Sequence, residues 1–399
     1  MNEKQQVRVL RIMNRLSIGG PTLHAYFLSE HLGDNFETRI LSGRLAHGES
    51  APEELLQKMK APITYISTME REVGIWKDLK ALREIRKIIR DYKPDIVHTH
   101  ASKSGAIGRI AAWLEGVPVI LHTYHGHVFH SYFGKAKTRF FISIERLLAK
   151  ISSGIIAISK RQFEEIAHHF KIAPESKFQV IPLGFDFTRF SDQLGEKRNA
   201  FRGEFGLTEN DLALCIAGRV TAIKNHKMFL DALVPVFSRH SRGVYAFVVG
   251  DGELKEELIQ YCAEKGLLVT GSATGKSAVI FTSWRSDMEN VFNGIDISCL
   301  TSLNEGTPVA AIESMYCGKP VVSTNVGGVS DVIEDGVSGI LTPTNQPLPF
   351  ANALFKLIEN EGFRKKIGEN GRKAAEQFSI EKLVSGLSSL YLKLIKEKK

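Results

Sequence analysis

No stretch of this 399-residue chain reaches the ~18 consecutive apolar residues that a membrane-spanning helix needs. An integral helical membrane protein is therefore excluded. The opening Met1-Asn2-Glu3-Lys4 is polar and runs straight into an apolar strand, so no secretory leader is read there. Cysteine is scarce: Cys215, Cys262, Cys299 and Cys317 are scattered without metal-ligand spacing and read as reduced thiols of a cytoplasmic protein. No Asp-x-Asp pair is present to hold a divalent cation. Gly271-Ser272-Ala273-Thr274-Gly275-Lys276-Ser277 imitates a phosphate-binding P-loop, but three residues separate its glycines where four are required, and an apparent strand follows instead of a helix. It is read as a flexible loop. Aromatic and basic residues do not interleave as in nucleic-acid binders, so the net charge of +8 points to phosphate-bearing ligands or anionic lipid instead.

What is present is a regular alternation of short apolar strands and amphipathic helices, the pattern of an α/β protein with doubly wound parallel sheets. Buried-strand runs are expected at 7–13, 38–41, 63–66, 96–99, 117–123, 154–158 and 178–181, with helices over 75–92, 102–114 and 139–151. The pattern then restarts with strands at 212–217, 245–249, 279–281, 295–300, 320–323 and 338–341. The chain is too long for one core. Two Rossmann-like domains facing across a cleft are expected, over 1–185 and 186–378, with the polar stretch 183–206 as linker. A last helix, 379–399, starts at Ser379 and is expected to cross back to the first domain. Ligands of such sheets sit beyond the carboxyl ends of the strands.

The richest local pattern is Asn304-Glu305-Gly306-Thr307-Pro308-Val309-Ala310-Ala311-Ile312-Glu313, directly after the strand at 295–300. Pro308 suits the first turn of a helix, and free N–H groups around Val309 and Ala310 favour a phosphate. Glu305 in the loop and Glu313 inside the helix can meet a sugar and a ribose on either side of that phosphate. Gly218-Arg219-Val220-Thr221-Ala222-Ile223-Lys224 follows the first strand of the second half, so Arg219 and Lys224 fall where a diphosphate would need neutralising. The blander reading of each piece, a solvated helix start and two surface cations, loses only when the pieces are taken together. Gly19-Gly20 after the first strand permits close backbone approach, although a plain tight turn would look the same. Histidines gather at His98, His100, His122, His125, His127 and His130 without carboxylate or cysteine partners, which favours structural or substrate-facing roles over metal binding. His125, after a strand end, is the one best placed for substrate.

Taken in order, Gly19-Gly20, the 123–127 segment, Val180-Ile181-Pro182-Leu183-Gly184, Gly218-Arg219…Lys224, Val248-Val249-Gly250-Asp251-Gly252, Glu305…Glu313 and Gly318-Lys319-Pro320-Val321 resemble the retaining GT-B glycosyltransferases of family 4 across nearly the whole chain. The resemblance implies that Glu313 binds the donor ribose and that Glu305 holds the transferred sugar. Arg219 and Lys224 take the diphosphate together with N–H groups after Gly306, in the Thr307-Pro308-Val309 segment. It places His125 at the reacting centre, Gly19 and Gly20 beside the donor phosphates, and the nucleobase at residues 281–285 with Trp284 nearby. The expected donor is a nucleotide-sugar, with uridine favoured, and the acceptor a glycan or lipid-linked glycan. No metal and no cofactor is expected, because the two cations replace one. The loop Gly20-Pro21-Thr22-Leu23-His24 departs from the family, many of whose members carry an acidic or different polar residue there.

Basic residues over 77–93 and 135–150, with Trp76, Phe133, Phe140 and Phe141, suit an anionic membrane surface as well as they suit a solvated face. Peripheral attachment at the inner face of the membrane, in surface polysaccharide or glycolipid synthesis, is the corresponding expectation. Two rivals stay open: a nucleotide-sugar epimerase of the same architecture, needing no acceptor, and a non-enzymatic nucleotide-sugar-binding protein.

Overall fold

The structure, a computed structural model, describes residues 6–17, 20–45, 52–70, 74–125 and 135–398. Gly19, His127, His130 and Phe133 lie outside the described residues. The chain forms two compact units, Met1–Phe185 with Phe378–Lys399, and Asp186–Gln377.

In the first unit, β1 (Val7–Arg15), α1 (Gly20–His31), β2 (Phe36–Gly43), α2 (Glu53–Lys58), β3 (Ile63–Ile66), α3 (Ile75–Tyr92), β4 (Ile96–His100), α4 (Ser102–Leu114), β5 (Val119–Tyr124), α5 (Lys135–Ile151), β6 (Gly154–Ala157), α6 (Lys160–Phe163) and β7 (Phe178–Val180) alternate. The seven strands lie in the order β3-β2-β1-β4-β5-β6-β7, and every pair is parallel. The order reverses between β1 and β4, so the loops after these two strands border a crevice. Helix α3 shows why the periodicity was readable. Ala81, Ile85, Ile89 and Tyr92 are buried at helical spacing. Lys93 then turns left-handed before Pro94 and closes the helix by donating its N–H to the Ile89 carbonyl. Ile85 is fully buried in that core, and each such side chain contributes about 1.5–3 kcal/mol.

The second unit repeats the plan with α7 (Thr188–Ser191), α8 (Leu194–Glu204), β8 (Leu212–Ala217), α9 (His226–Arg239), β9 (Val244–Val249), α10 (Lys255–Glu264), β10 (Ala278–Ser283), α11 (Met288–Gly294), β11 (Ile297–Leu300), α12 (Val309–Tyr316), β12 (Val321–Thr324), β13 (Ile340–Thr342), α13 (Pro347–Glu359) and α14 (Glu361–Ala375). Its six parallel strands run β10-β9-β8-β11-β12-β13, and the order reverses between β8 and β11. The final helix α15 (Ile380–Lys398) belongs to the first unit, where Leu383, Leu387, Tyr391 and Leu394 join a core with Val9, Ile96 and Leu121.

Three expectations are corrected. Residues 183–206 are not a linker: α7 and α8 occupy most of the stretch, Phe190 and Phe201 are buried, and Arg202 is buried against Asp296 at 3.1 Å. The polar sequence misled because its arginine is an internal crosslink. Pro308 is the N-cap of α12 (φ −78°, ψ 81°) and not part of its first turn. The strand before it starts at Ile297, two residues later than expected, since Ile295 caps α11. The P-loop imitation leads into β10, as its sequence indicates. The cysteines are unpaired; Cys215, Cys262 and Cys299 are buried as small core residues, Cys317 is half-buried, and burial pushes the Cys262 and Cys317 thiols up to about 12.

Candidate active site

The loops that border the crevice of the second unit carry the predicted residues. After β8 the chain passes through Gly218, Arg219 and a single 3-10 turn, Ala222–Lys224, into α9. After β11 it passes through residues 301–308 into α12. These loops are tied together. The Leu303 N–H donates to the Ile223 carbonyl at 2.8 Å, and the Thr301 hydroxyl donates to the Lys224 and Asn225 carbonyls at 3.1 and 3.0 Å. The result is a Lys224 Nζ–Glu305 Oε1 contact of 2.6 Å, with the Ser302 hydroxyl donating to the same oxygen at 2.5 Å. Glu305 is therefore a carboxylate held by a cation and a hydroxyl, with its other oxygen left for a ligand.

Behind this loop the Gly328 N–H donates to the Glu305 carbonyl at 2.9 Å. A Cβ at Gly328 would stand 2.0 Å from the Gly306 carbonyl oxygen, so glycine is what lets the two loops touch. On the other side, a Cβ at Gly250 would meet the Gly218 carbonyl at 2.0 Å, and Gly250 sits at φ +140°. The backbones of the loops after β8, β9 and β10 are joined by Gly218 N–H to Val249 and Gly250 N–H to Ser283, both 2.9 Å. This rigid floor leaves Arg219 exposed and without an ion-pair partner among the described residues.

Glu313 is one and a half turns into α12 and does not touch Glu305's partners. Burial pushes its carboxyl up to about 7; Arg189, 3.9 Å away, opposes the shift and Glu289 adds to it. Trp284, just beyond β10, is 62% exposed and free to stack on a planar ring. Arg285 beside it is spent on Glu204 and Asp287, at 2.7 Å each. Free N–H groups at the start of α12 follow Gly306, Thr307 and Pro308 and begin with Val309.

In the first unit Gly20 is the first residue of α1, and His125 follows β5. His125 is not alone. Its Nε2 lies 2.9 Å from His100 Nδ1, and its ring stands 5.3 Å from that of His24 on α1. Arg11, fully buried in β1, reaches His100 Nε2 at 3.2 Å and His98 Nδ1 at 3.4 Å. Tyr391 of α15 completes the group at 2.6 Å from His98 Nδ1. His98 and His100, two apart on one strand, share this face; His122 lies on the other, against Thr99 at 2.9 Å. Burial holds all five imidazoles below their usual range, His125 down to about 4, so they are neutral at pH 7.

Among the described residues, the nitrogens of His24, His100 and His125 converge within 4.8 Å, near enough to invite a metal ion. The Arg11 guanidinium beside His100 opposes a dication there, and two of the three rings already share a hydrogen bond. Sequence reasoning missed Arg11, His24, Ser302, Arg189 and the Gly327-Gly328 turn. A charge at the centre of an apolar strand, as in Val7-Arg8-Val9-Leu10-Arg11-Ile12-Met13, was the available signal for Arg11.

Two parallel Rossmann-like sheets, each with its polar loops at a point where strand order reverses, are the fold of GT-B architecture. Residues 18–189 match the family model described as Glycosyltransferase Family 4, and residues 197–374 match that of Glycosyl transferases group 1. The chain belongs to this family of glycosyltransferases. It is 30% identical over 336 residues to the UDP-Gal:alpha-D-GlcNAc-diphosphoundecaprenol alpha-1,3-galactosyltransferase of Escherichia coli, covering 84% of each chain. It is 25% identical to the capsular polysaccharide biosynthesis glycosyltransferase CapM of Staphylococcus aureus, over 88% of this chain and 90% of that one. In fold it is similar to Anabaena HepE, solved with UDP, at a TM-score of 0.79 and 20% identity over 97% of this chain and 100% of that one.

Proposed function

We propose that this glycosyltransferase moves a sugar, with retention of configuration, from a UDP-sugar to a glycan carried on a lipid diphosphate. The single observation behind this reading is the Lys224–Glu305 pair at the reversal point of the second sheet, beside the first N–H groups of α12. Lys224 and Arg219 would meet the diphosphate, with the N–H groups from Val309 onward on its other side. As the glycosidic bond breaks, charge accumulates on that diphosphate, so these donors act most strongly in the transition state. Glu305 would hold hydroxyls of the sugar, Glu313 the ribose diol, and Trp284 the face of the base. His125 stands near the reacting carbon in this reading. In this reading both carboxylates are taken up by donor hydroxyls and neither serves as an outside base, which suits departure and attack on one face with the diphosphate oxygen taking the proton. The uridine and lipid diphosphate rest on the relatives: one is named for a UDP-galactose donor and a diphosphoundecaprenol acceptor, and HepE was solved with UDP.

The reaction is proposed to need no metal. Transfer should proceed undiminished in EDTA, and NMR of the product should show the anomeric configuration of the donor. An inverted product, or turnover that stops on chelation, contradicts this reading; product without acceptor would favour an epimerase.

An anionic bilayer is the proposed resting place of the first unit. Helices α3, α4 and α5 pack side by side with their first turns at the carboxyl edge of the sheet. Ile75 and Trp76 there are 74% and 81% exposed, Phe140 in the second turn of α5 is 62% exposed, and Lys80, Arg83 and Arg139 are exposed on the same helices. Exposed aromatics and cations of this kind suit a headgroup layer. Trp76→Ser is expected to cut binding to phosphatidylglycerol vesicles severalfold in a sedimentation assay. Equal binding of variant and native chains, or native binding to neutral vesicles as strong as to anionic ones, would remove the surface from the account.

A further inference from the structure

We propose that Arg11, acting through His100, fixes His125 with its proton on Nδ1, so that this site histidine meets an oxygen of the substrate as an N–H donor and never as an acceptor. The inference rests on the reading of His125 as part of the active site. The Arg11 guanidinium has five donors, no acceptor and no neutral form in proteins. Arg11 Nη1 faces His100 Nε2 at 3.2 Å, so that nitrogen must offer its lone pair. A neutral imidazole has one donor and one acceptor. The proton of His100 is therefore on Nδ1, and it is donated across 2.9 Å to His125 Nε2. His125 Nε2 is then an acceptor in turn, which leaves its proton on Nδ1.

The neighbouring branch obeys the same direction. Arg11 Nη2 donates to the Tyr391 oxygen at 3.3 Å, and Tyr391 donates to His98 Nδ1 at 2.6 Å. Arg11 Nη1 also points at His98 Nδ1 from 3.4 Å. His98 then carries its proton on Nε2 and gives it to the Thr123 hydroxyl at 2.7 Å. No second assignment satisfies the whole set while the rings are neutral. Along the His100 branch the polarity runs outward from the buried cation and ends at His125 Nδ1, buried and without a hydrogen-bond partner among the described residues; Arg11 Nε and both nitrogens of His24 are buried and unpartnered beside it. A buried donor left unmade is costly, a cost that a substrate hydroxyl or phosphoryl oxygen would relieve. The same tautomer has no lone pair on Nδ1 to give a metal, in keeping with the guanidinium beside His100. Arg11 and His100 are thus positioning residues: neither need touch the substrate.

Histidine-selective nitrogen-15 NMR of the full-length enzyme tests this without any variant. The expected result at pH 7 is a His125 signal set with a protonated Nδ1 and an unprotonated Nε2, assigned by its loss in His125→Asn. Protonated Nε2 in the native protein overturns the proposal, as does stoichiometric zinc binding that shifts His125 Nδ1. Two variants then test the relay. His100→Asn can place an amide N–H where Nδ1–H stood and should keep the His125 tautomer, with kcat within about threefold of native. His100→Leu cannot, and should release His125 to the Nε2–H form with kcat about tenfold lower and donor KM little changed, a loss on the scale of one hydrogen bond. Identical His125 spectra in the two variants would contradict the relay. His125→Ala with native turnover would instead remove His125 from the reaction while leaving the tautomer result standing, so the two failures are distinguishable.

Discussion

Lys224→Ala is expected to lower kcat/KM by about 10²–10³, the span lost when one preorganised donor to a developing negative charge is removed. The fold should survive. Lys224 lies on a one-turn segment fixed by its backbone: the Thr301 hydroxyl holds its carbonyl, and its N–H is donated to the Thr221 carbonyl at 3.1 Å. The pair it makes with Glu305 is partly exposed, 26% on the lysine side, so little stability depends on it. What changes is charge. Without the ammonium, Glu305 presents an uncompensated carboxylate to a sugar whose leaving diphosphate is itself anionic. Both effects raise the barrier, and Lys224→Arg should recover only part of the rate because the longer planar head cannot sit 2.6 Å from one oxygen in the same pocket. Steady-state kinetics with circular dichroism on both variants checks this. A rate within threefold of native in a folded Lys224→Ala protein would take the lysine out of the mechanism.

Glu313 carries the second large effect, and it should read out in pH. Its carboxyl is pushed up to about 7 chiefly by burial, so at pH 6 the uncharged acid predominates. A ribose diol donates two hydroxyls and binds the carboxylate better than the acid. Donor affinity should therefore climb between about pH 6 and 8, by at most about tenfold per unit, and level off above. The sign for stability is the reverse: a carboxyl raised in the folded state favours folding at low pH and loses that contribution as pH rises towards 7. Glu313→Gln cannot ionise. It should weaken donor binding by roughly 10–100-fold at pH 8, the worth of one or two charged hydrogen bonds, and flatten the profile. Calorimetric titration of the donor nucleotide from pH 6 to 8 measures both. A slope that persists unchanged in Glu313→Gln would assign the titration to another group.

Much of the architecture was legible because its cause is local. Helices α3 and α4 and strand β3 fall where their apolar spacing puts them, over 75–92, 102–114 and 63–66. The expected helices and strands failed at edges, where a cap or a turn decides. Ile295 is apolar enough to extend a strand, yet it closes α11 by its N–H to the Val291 carbonyl. The 183–206 stretch failed for a different reason. Arg202 makes four hydrogen bonds to Asp296, Gly294, Thr208 and Asp211, so a residue that reads as surface is a core strut.

The candidate site divides in the same way. Lys224 and Glu305 stand 81 positions apart in sequence, but each follows a strand, and the two strands are neighbours at the reversal point. Strand order is what joins them; periodicity could not supply it, and the resemblance to a family assigned both residues to the donor without it. Arg11 and His24 had no such help. Their meeting with His100 and His125 depends on which faces of β1, β4 and α1 look at one another, and a buried cation among neutral rings leaves no periodic mark.

The most direct test of the account is a thermal-shift titration of the full-length protein with UDP, GDP, ADP and their common sugar conjugates, in EDTA and again with magnesium. A ligand raises the melting point only by binding the folded state. UDP and at least one UDP-sugar should raise it by several degrees in EDTA, GDP and ADP much less, and Lys224→Ala should lose most of the rise. A chain that responds to none of these nucleotides in either condition has no donor site, and the transferase reading built on Lys224, Glu305 and Glu313 would be contradicted.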